Sequence, residues 1–136
     1  MTMINNTDPD VKTKTVRARI LVLDHESALL DLITDCLAAH RYSVCTANTA
    51  AEALRRLADD QFHCIVTGLD KPLEACLEFS RSARAIRPNI PLLLTTDDHR
   101  VSWRLIQDSG FCCILFRPFD FRVLVEQIRS ALNEKG

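Results

Sequence analysis

The chain has 136 residues, 47% of them hydrophobic and 26% charged, and its 17 Lys+Arg against 18 Asp+Glu leave a formal charge of −1. Such a chain buries roughly 70% of its unfolded surface as one domain, without help from disulfides or a structural metal. The balanced charge argues against a generally basic nucleic-acid binder and against an acidic disordered chain. No apolar run approaches the roughly 20 residues of a membrane span, and the polar stretch Met1 to Lys14 has no apolar signal core.

Residues 1–16 carry Asn, Thr, Asp and Pro without periodicity and are expected to form a flexible arm. Lys12, Lys14, Arg17 and Arg19 there suit a solvated tail better than an acidic partner. Arg19 to Asp24 then gives an apolar run closed by polar residues, the pattern of a parallel strand covered on both faces. Ser27 to His40 spaces Leu29, Ile33, Cys36 and Leu37 as one helical stripe. Ser43 to Ala47 is a short strand. Asn48 or Thr49 caps the next helix, with Glu52 placed as the capping-box partner of Thr49. Its inner face is Ala53, Leu54, Leu57 and Ala58.

The alternation repeats. Phe62 to Thr67 is a strand, and Leu73 to Ile86 is a helix turning Cys76, Phe79, Ala83 and Ile86 inward before Arg87-Pro88 stops it. Pro91 to Thr96 is a strand with Pro at its tolerated first position. His99 to Asp108 is a predicted helix with Gly110 as its stop. Phe111 to Phe116 is a strand. Phe119 to Leu132 is the last helix, with Phe121, Leu124, Val125, Ile128 and Leu132 inward. The domain is expected over 17–133 and a tail over 134–136.

Five strand–helix units imply a three-layer, doubly wound parallel sheet, flavodoxin-like, in strand order 2-1-3-4-5. The functional crevice of this architecture lies at the carboxyl ends of the strands. That selects Asp24, His25, Glu26, Gly68, Asp70, Thr95, Thr96 and Arg117. The six cysteines, Cys36, Cys45, Cys64, Cys76, Cys112 and Cys113, lack zinc-ligand spacing and are expected as free thiols. The vicinal pair Cys112-Cys113 would point to opposite faces of a strand.

The stretches Ile-Leu-Val-Leu-Asp24-His25-Glu26, Pro-Leu-Leu-Leu-Thr95-Thr96 and Ile-Leu-Phe-Arg117-Pro118-Phe119-Asp120 together resemble the receiver domain of two-component response regulators. The resemblance covers about residues 17–133. It implies an acidic pair after the first strand and a phosphoacceptor Asp ending the third. It also implies a Thr or Ser ending the fourth and a Lys-Pro after the fifth. A family Pro lies four residues after the acceptor. Here it is Pro72, which puts the acceptor position on Gly68, in a register that Leu77-Glu78-Phe79 supports. His25 then takes the second acidic position, Arg117 the Lys position, and Ile114 the aromatic switch position. Asp24 and Thr95 match the pattern. Arg117-Pro118 is a candidate cis peptide by the same resemblance.

Phosphoryl transfer to a carboxylate needs an anionic nucleophile and a divalent cation. Asp24 beside an imidazole and a glycine makes a poor magnesium site, so no cofactor is expected and Mg2+ binding is weak or absent. The guanidinium fork of Arg117 suits a carboxylate and is expected to reach Asp24, filling the space of metal and phosphate. The expected function is a phosphorylation-independent pseudo-receiver in the bacterial cytoplasm, a protein-interaction module and not an enzyme. Its partner would be a histidine kinase or an output domain, with no nucleic acid and no membrane. Trp103, Arg104, Gln107, Arg122, Gln127 and Arg129 mark its expected interaction face, on the fourth helix, fifth strand and fifth helix, where a homodimer could form. The alternative is an active receiver accepting phosphate from a histidine kinase on Asp70 or Asp24. A flavin or small-molecule binder fits poorly, because Asp24-His25-Glu26-Ser27 is no phosphate cradle. His25 is a second candidate role, a pH sensor, against an exposed loop histidine. Thr95 could hold an anion or bond to backbone.

Overall fold

The computed structural model describes residues 15–68 and 73–134. Five strands, β1 (Ala18–Leu23), β2 (Tyr42–Ala47), β3 (Cys64–Thr67), β4 (Leu92–Thr96) and β5 (Phe111–Phe116), form one sheet in the order β2-β1-β3-β4-β5. Every neighbouring pair is parallel. The helices are α1 (Ser27–Ala39), α2 (Ala50–Asp59), α3 (Leu73–Ile86), α4 (Trp103–Ile106) and α5 (Phe121–Ala131). This is the expected flavodoxin-like, doubly wound fold.

Strand side chains alternate between two cores. Leu21, Leu23, Ile65, Leu92 and Leu94 meet α2 and α3 on one face. Ile20, Val22, Cys64, Val66 and Leu93 meet α1 and α5 on the other. β1 is therefore buried almost throughout, which explains its lack of polar alternation. Between β4 and β5 the register slips at Leu92/Leu93, so Cys112 is the extra residue of a bulge. Cys112 lies exposed while Cys113 packs toward α1 and α5, and all six thiols are free.

The α2 cap forms as expected: Thr49 Oγ1 accepts from the Glu52 N–H at 3.1 Å, and Glu52 Oε1 accepts in return from Asn48 N–H at 3.1 Å. The α1 stripe is rotated by one residue from the expected one. Leu30, Ile33 and Leu37 are buried, leaving Leu29 and Cys36 only partly covered. Ala58 on α2 is exposed. The expected helix His99–Asp108 shrinks to Trp103–Ile106. Local side-chain bonds win over the helix there. Thr96 Oγ1 accepts from Asp98 N–H, Asp98 Oδ1 accepts from Arg100 N–H, and Val101 N–H closes a turn on the Asp98 carbonyl. Gly110, at φ +99°, still makes the reversal into β5.

Arg19 is a strand residue and not part of a tail: it pairs with Asp60 at 3.3 Å and lies over the Phe62 ring. Arg17 meets Glu134 Oε1 at 3.4 Å, and the same oxygen accepts from the buried Tyr42 hydroxyl at 2.7 Å. Glu134, expected in the tail, thus clasps the start of β1 to β2. Lys12 and Lys14 lie outside the described residues. No described helix is long and apolar enough to cross a membrane.

Candidate functional site

The carboxyl ends of β1, β3, β4 and β5 bring Asp24, Gly68, Thr95 and Arg117 together. Asp24 follows β1 and is 1% exposed. Its N–H donates to the Ala47 carbonyl at 3.1 Å, which anchors the turn on β2. Oδ1 accepts from Glu26 N–H at 2.9 Å, an Asx-type turn that opens α1. Oδ2 faces Arg117 Nη1 at 3.3 Å. Arg117 is 13% exposed and is fixed at its backbone, where its N–H donates to the Thr96 carbonyl at 2.9 Å. The Arg117-Pro118 peptide is cis. Oδ1 is held by Glu26 N–H, and the guanidinium reaches Oδ2 through Nη1.

Burial pushes the Asp24 carboxyl above its ordinary value, and the Glu26 N–H, the Arg117 guanidinium and His25 only partly offset this. His25 itself is exposed, with Nδ1 3.7 Å from Asp24 Oδ1. Gly68 closes the site from β3. Its N–H donates to the Leu23 carbonyl at 2.6 Å, pinning it beside Asp24. A side chain there has no room: its Cβ would run into Asp24 Oδ2 and stand 2.9 Å from Thr95 Oγ1. Thr95 is buried, and its hydroxyl, turned toward this same point, has no hydrogen-bond partner among the described residues. The backbone bond considered for Thr95 is made by its neighbour Thr96. Asp70 and Pro72 lie outside the described residues.

A magnesium ion takes an octahedral oxygen shell, with one or two protein carboxylates. Among the described residues, the one buried carboxylate of this arrangement, Asp24, is already engaged on both oxygens, with a guanidinium beside it. These residues do not fit such an ion. Among the described residues, no three His, Cys, Asp or Glu side chains cluster as metal ligands elsewhere.

Sequence reasoning missed the groove next to this site. A cavity of about 510 Å³ is lined by Glu26, Leu29, Leu32, Asp97, Arg117 and Phe119, among others. Leu32 is 56% exposed on α1. The signal was present, since Leu29 and Leu32 fall outside the buried Leu30, Ile33 and Leu37 stripe. Of the expected interaction face, Trp103 (49% exposed), Arg104, Gln107 and Arg122 are exposed, as is Phe116, whose ring stacks on His99 at 5.1 Å. Gln127 and Arg129 are half-buried, so they do not belong to the exposed set. Ile114 is half-buried against the α2–α3 core.

Comparison with known proteins agrees with this fold. No protein-family model matches the chain. The response regulator MprA of Mycobacterium leprae is 32% identical over 116 residues, which is 85% of this chain but 51% of that protein. The chain therefore spans about half the length of the curated relatives it matches. A CheY-like response regulator receiver domain protein from Methanospirillum hungatei superposes with a TM-score of 0.76 at 25% identity, covering 85% of this chain and 93% of that one. The receiver domain of a sensor histidine kinase from Pseudomonas aeruginosa, crystallised with magnesium in its active-site cleft, matches in fold with a TM-score of 0.75 at 18% identity, over 86% of this chain and 98% of its own. Strand order and these likenesses give the chain the CheY-like fold and make it similar to the receiver domains of response regulators.

Proposed function

We propose that this receiver works in two-component signalling without being phosphorylated, as a protein-interaction module and not as an enzyme. The observation that carries the reading is the Asp24–Arg117 contact at 3.3 Å beside Gly68, where a Cβ would collide with the Asp24 carboxylate. The space for an acceptor side chain is filled, and the buried carboxylate beside it is held by a guanidinium. On this reading Gly68 stands at the phosphoacceptor position, His25 at the second acidic position and Arg117 at the Lys position. Ile114 replaces the switch aromatic, and the domain rests in one state. A ligand shifts an equilibrium only by its differential affinity for two states, so phosphate analogues shift nothing here. Partners are a histidine kinase or an output domain. Trp103, Phe116, Gln107 and Arg122 give the α4–β5–α5 face apolar and charged contacts for such a partner or for a second copy of the chain.

The test is intact mass after incubation with acetyl phosphate and magnesium, with Trp103 fluorescence followed in parallel. The expected result is an unmodified mass and a flat signal. A stable phosphoryl adduct overturns the reading, and mapping it to Asp70 or Asp24 makes the protein an active receiver on a non-standard carboxylate.

A further inference from the structure

A second cavity, of about 250 Å³, opens between α3 and the α4–β5 connection. It is lined by Leu77, Arg81, Arg84, Arg104, Asp108 and Ser109. Arg84 runs across Gly110, where a Cβ would strike its side chain. The Ser109 hydroxyl donates to the Ile106 carbonyl, which fixes the far wall. Three guanidinium groups therefore border one hollow with a single carboxylate at its edge.

Six arginines elsewhere on the molecule are matched. Arg17, Arg19, Arg56, Arg100, Arg117 and Arg122 each hold a carboxylate within 3.4 Å. Among the described residues, Arg81, Arg84 and Arg104 hold none. Three like charges beside the single counter-charge of Asp108 still repel one another on balance, and an anion relieves that repulsion while accepting charge-assisted hydrogen bonds. Arg104 thus borders a cavity shared with α3.

We infer that this cavity docks an acidic segment of a protein partner, taking its carboxylate side chains between Arg81, Arg84 and Arg104. Size decides against a whole small molecule. Pockets that engulf such ligands hold about 300–1,000 Å³, and this one is smaller. It suits the end of an Asp or Glu side chain on a chain that passes over the opening, with Leu77 receiving the methylene stem. Clusters of arginine recognise acidic motifs in this way. The inference rests on the interaction reading above and gives its partner a chemistry.

The test uses the full chain and a short fluorescein-labelled peptide of alternating glutamate and serine, followed by anisotropy. The expected result is saturable binding that weakens with salt, since exposed charges are screened over about 8 Å at 0.15 M. Arg81→Gln with Arg104→Gln should weaken it about tenfold or more, the equivalent of a charge-assisted hydrogen bond. Those two positions leave the Arg84 contact with Gly110 intact, and circular dichroism checks the fold. Unchanged binding by the double variant overturns the inference. So does an equal loss from Arg122→Gln, which would mean general attraction to a basic surface. Competition by inorganic pyrophosphate as strong as by unlabelled peptide would make it a small-anion site and overturn the choice of a protein segment. The acetyl phosphate assay reports separately on the interaction reading, so the two can fail independently.

Discussion

Gly68 and Asp24 share one volume: the place where a Gly68 side chain would begin is the place where the Asp24 carboxylate lies. Gly68 has no positive φ in this structure, so its identity is a matter of space and not of backbone conformation. Gly68→Ala should therefore destabilise the domain by about 1–3 kcal/mol, the usual range for overpacking. Asp24→Ala should relieve most of that cost. Urea unfolding of the two single variants and the double one forms a cycle, and strictly additive effects would contradict the shared volume.

The same geometry predicts that Gly68→Asp alone does not create an acceptor. Its carboxylate would compete with Asp24 for the Arg117 guanidinium and displace one of the two. The variant should remain at its unmodified mass with acetyl phosphate and magnesium. Gly68→Asp combined with His25→Asp and Arg117→Lys rebuilds the family pattern, and an adduct appearing only in the combined variant would locate the block at these three positions.

Stability should respond to pH through Asp24. Burial raises its carboxyl above the ordinary 3.8. The folded state then holds the proton more tightly than the unfolded chain, so the Asp24 contribution is greatest below 3.8 and declines as pH climbs through the raised value. Asp24→Asn keeps an acceptor for Glu26 N–H and removes the titration. The stability of this variant relative to the natural chain should rise across that window and level off above it. A constant difference from acid to neutral pH would contradict the shift.

The single tyrosine of the chain offers a clean probe. Burial and the Glu134 carboxylate hold the Tyr42 phenol above its ordinary 10.0. Alkaline titration by ultraviolet absorbance should show ionisation delayed beyond that of free tyrosine, and Glu134→Gln should bring it part of the way down, since burial is the larger cause. Tyr42→Phe loses a hydrogen bond to a charged group and should cost about 1.5–3 kcal/mol in urea unfolding.

The thiols should rank by environment. Burial pushes Cys113 and Cys76 to about 11, and raises Cys64 further still. Mass-resolved alkylation of the native protein should label exposed Cys112 before buried Cys64.

Most of the fold was legible because its signals were local. Leu73–Ile86 and Phe111–Phe116 are bounded where the sequence places them, by Pro88 and Gly110 among other stops. The α4 region was not legible, because Asp98 and Thr96 bind backbone groups that a helix would have used, and periodicity carries no trace of such bonds. The site positions Asp24, Gly68, Thr95 and Arg117 do converge at one end of the sheet. Their bonding was harder to read. That Glu26 N–H takes Asp24 Oδ1 while Arg117 takes Oδ2 depends on a local turn that periodicity does not encode. The pairing of Arg17 and Tyr42 with Glu134 joins residues more than ninety positions apart and has no local signature.

That pairing also governs how anything attached to this domain is arranged in space. Arg17 and Glu134 are in contact, at the opposite end of β1 from Asp24. A strand of this length separates the two ends by about 20 Å. Sequence preceding Arg17 and sequence following Glu134 thus depart from one corner. Two groups joined at one origin through short linkers would meet at roughly millimolar effective concentration. Contacts between groups attached there, negligible for separate molecules, would become populated without crowding the Asp24 end of the sheet.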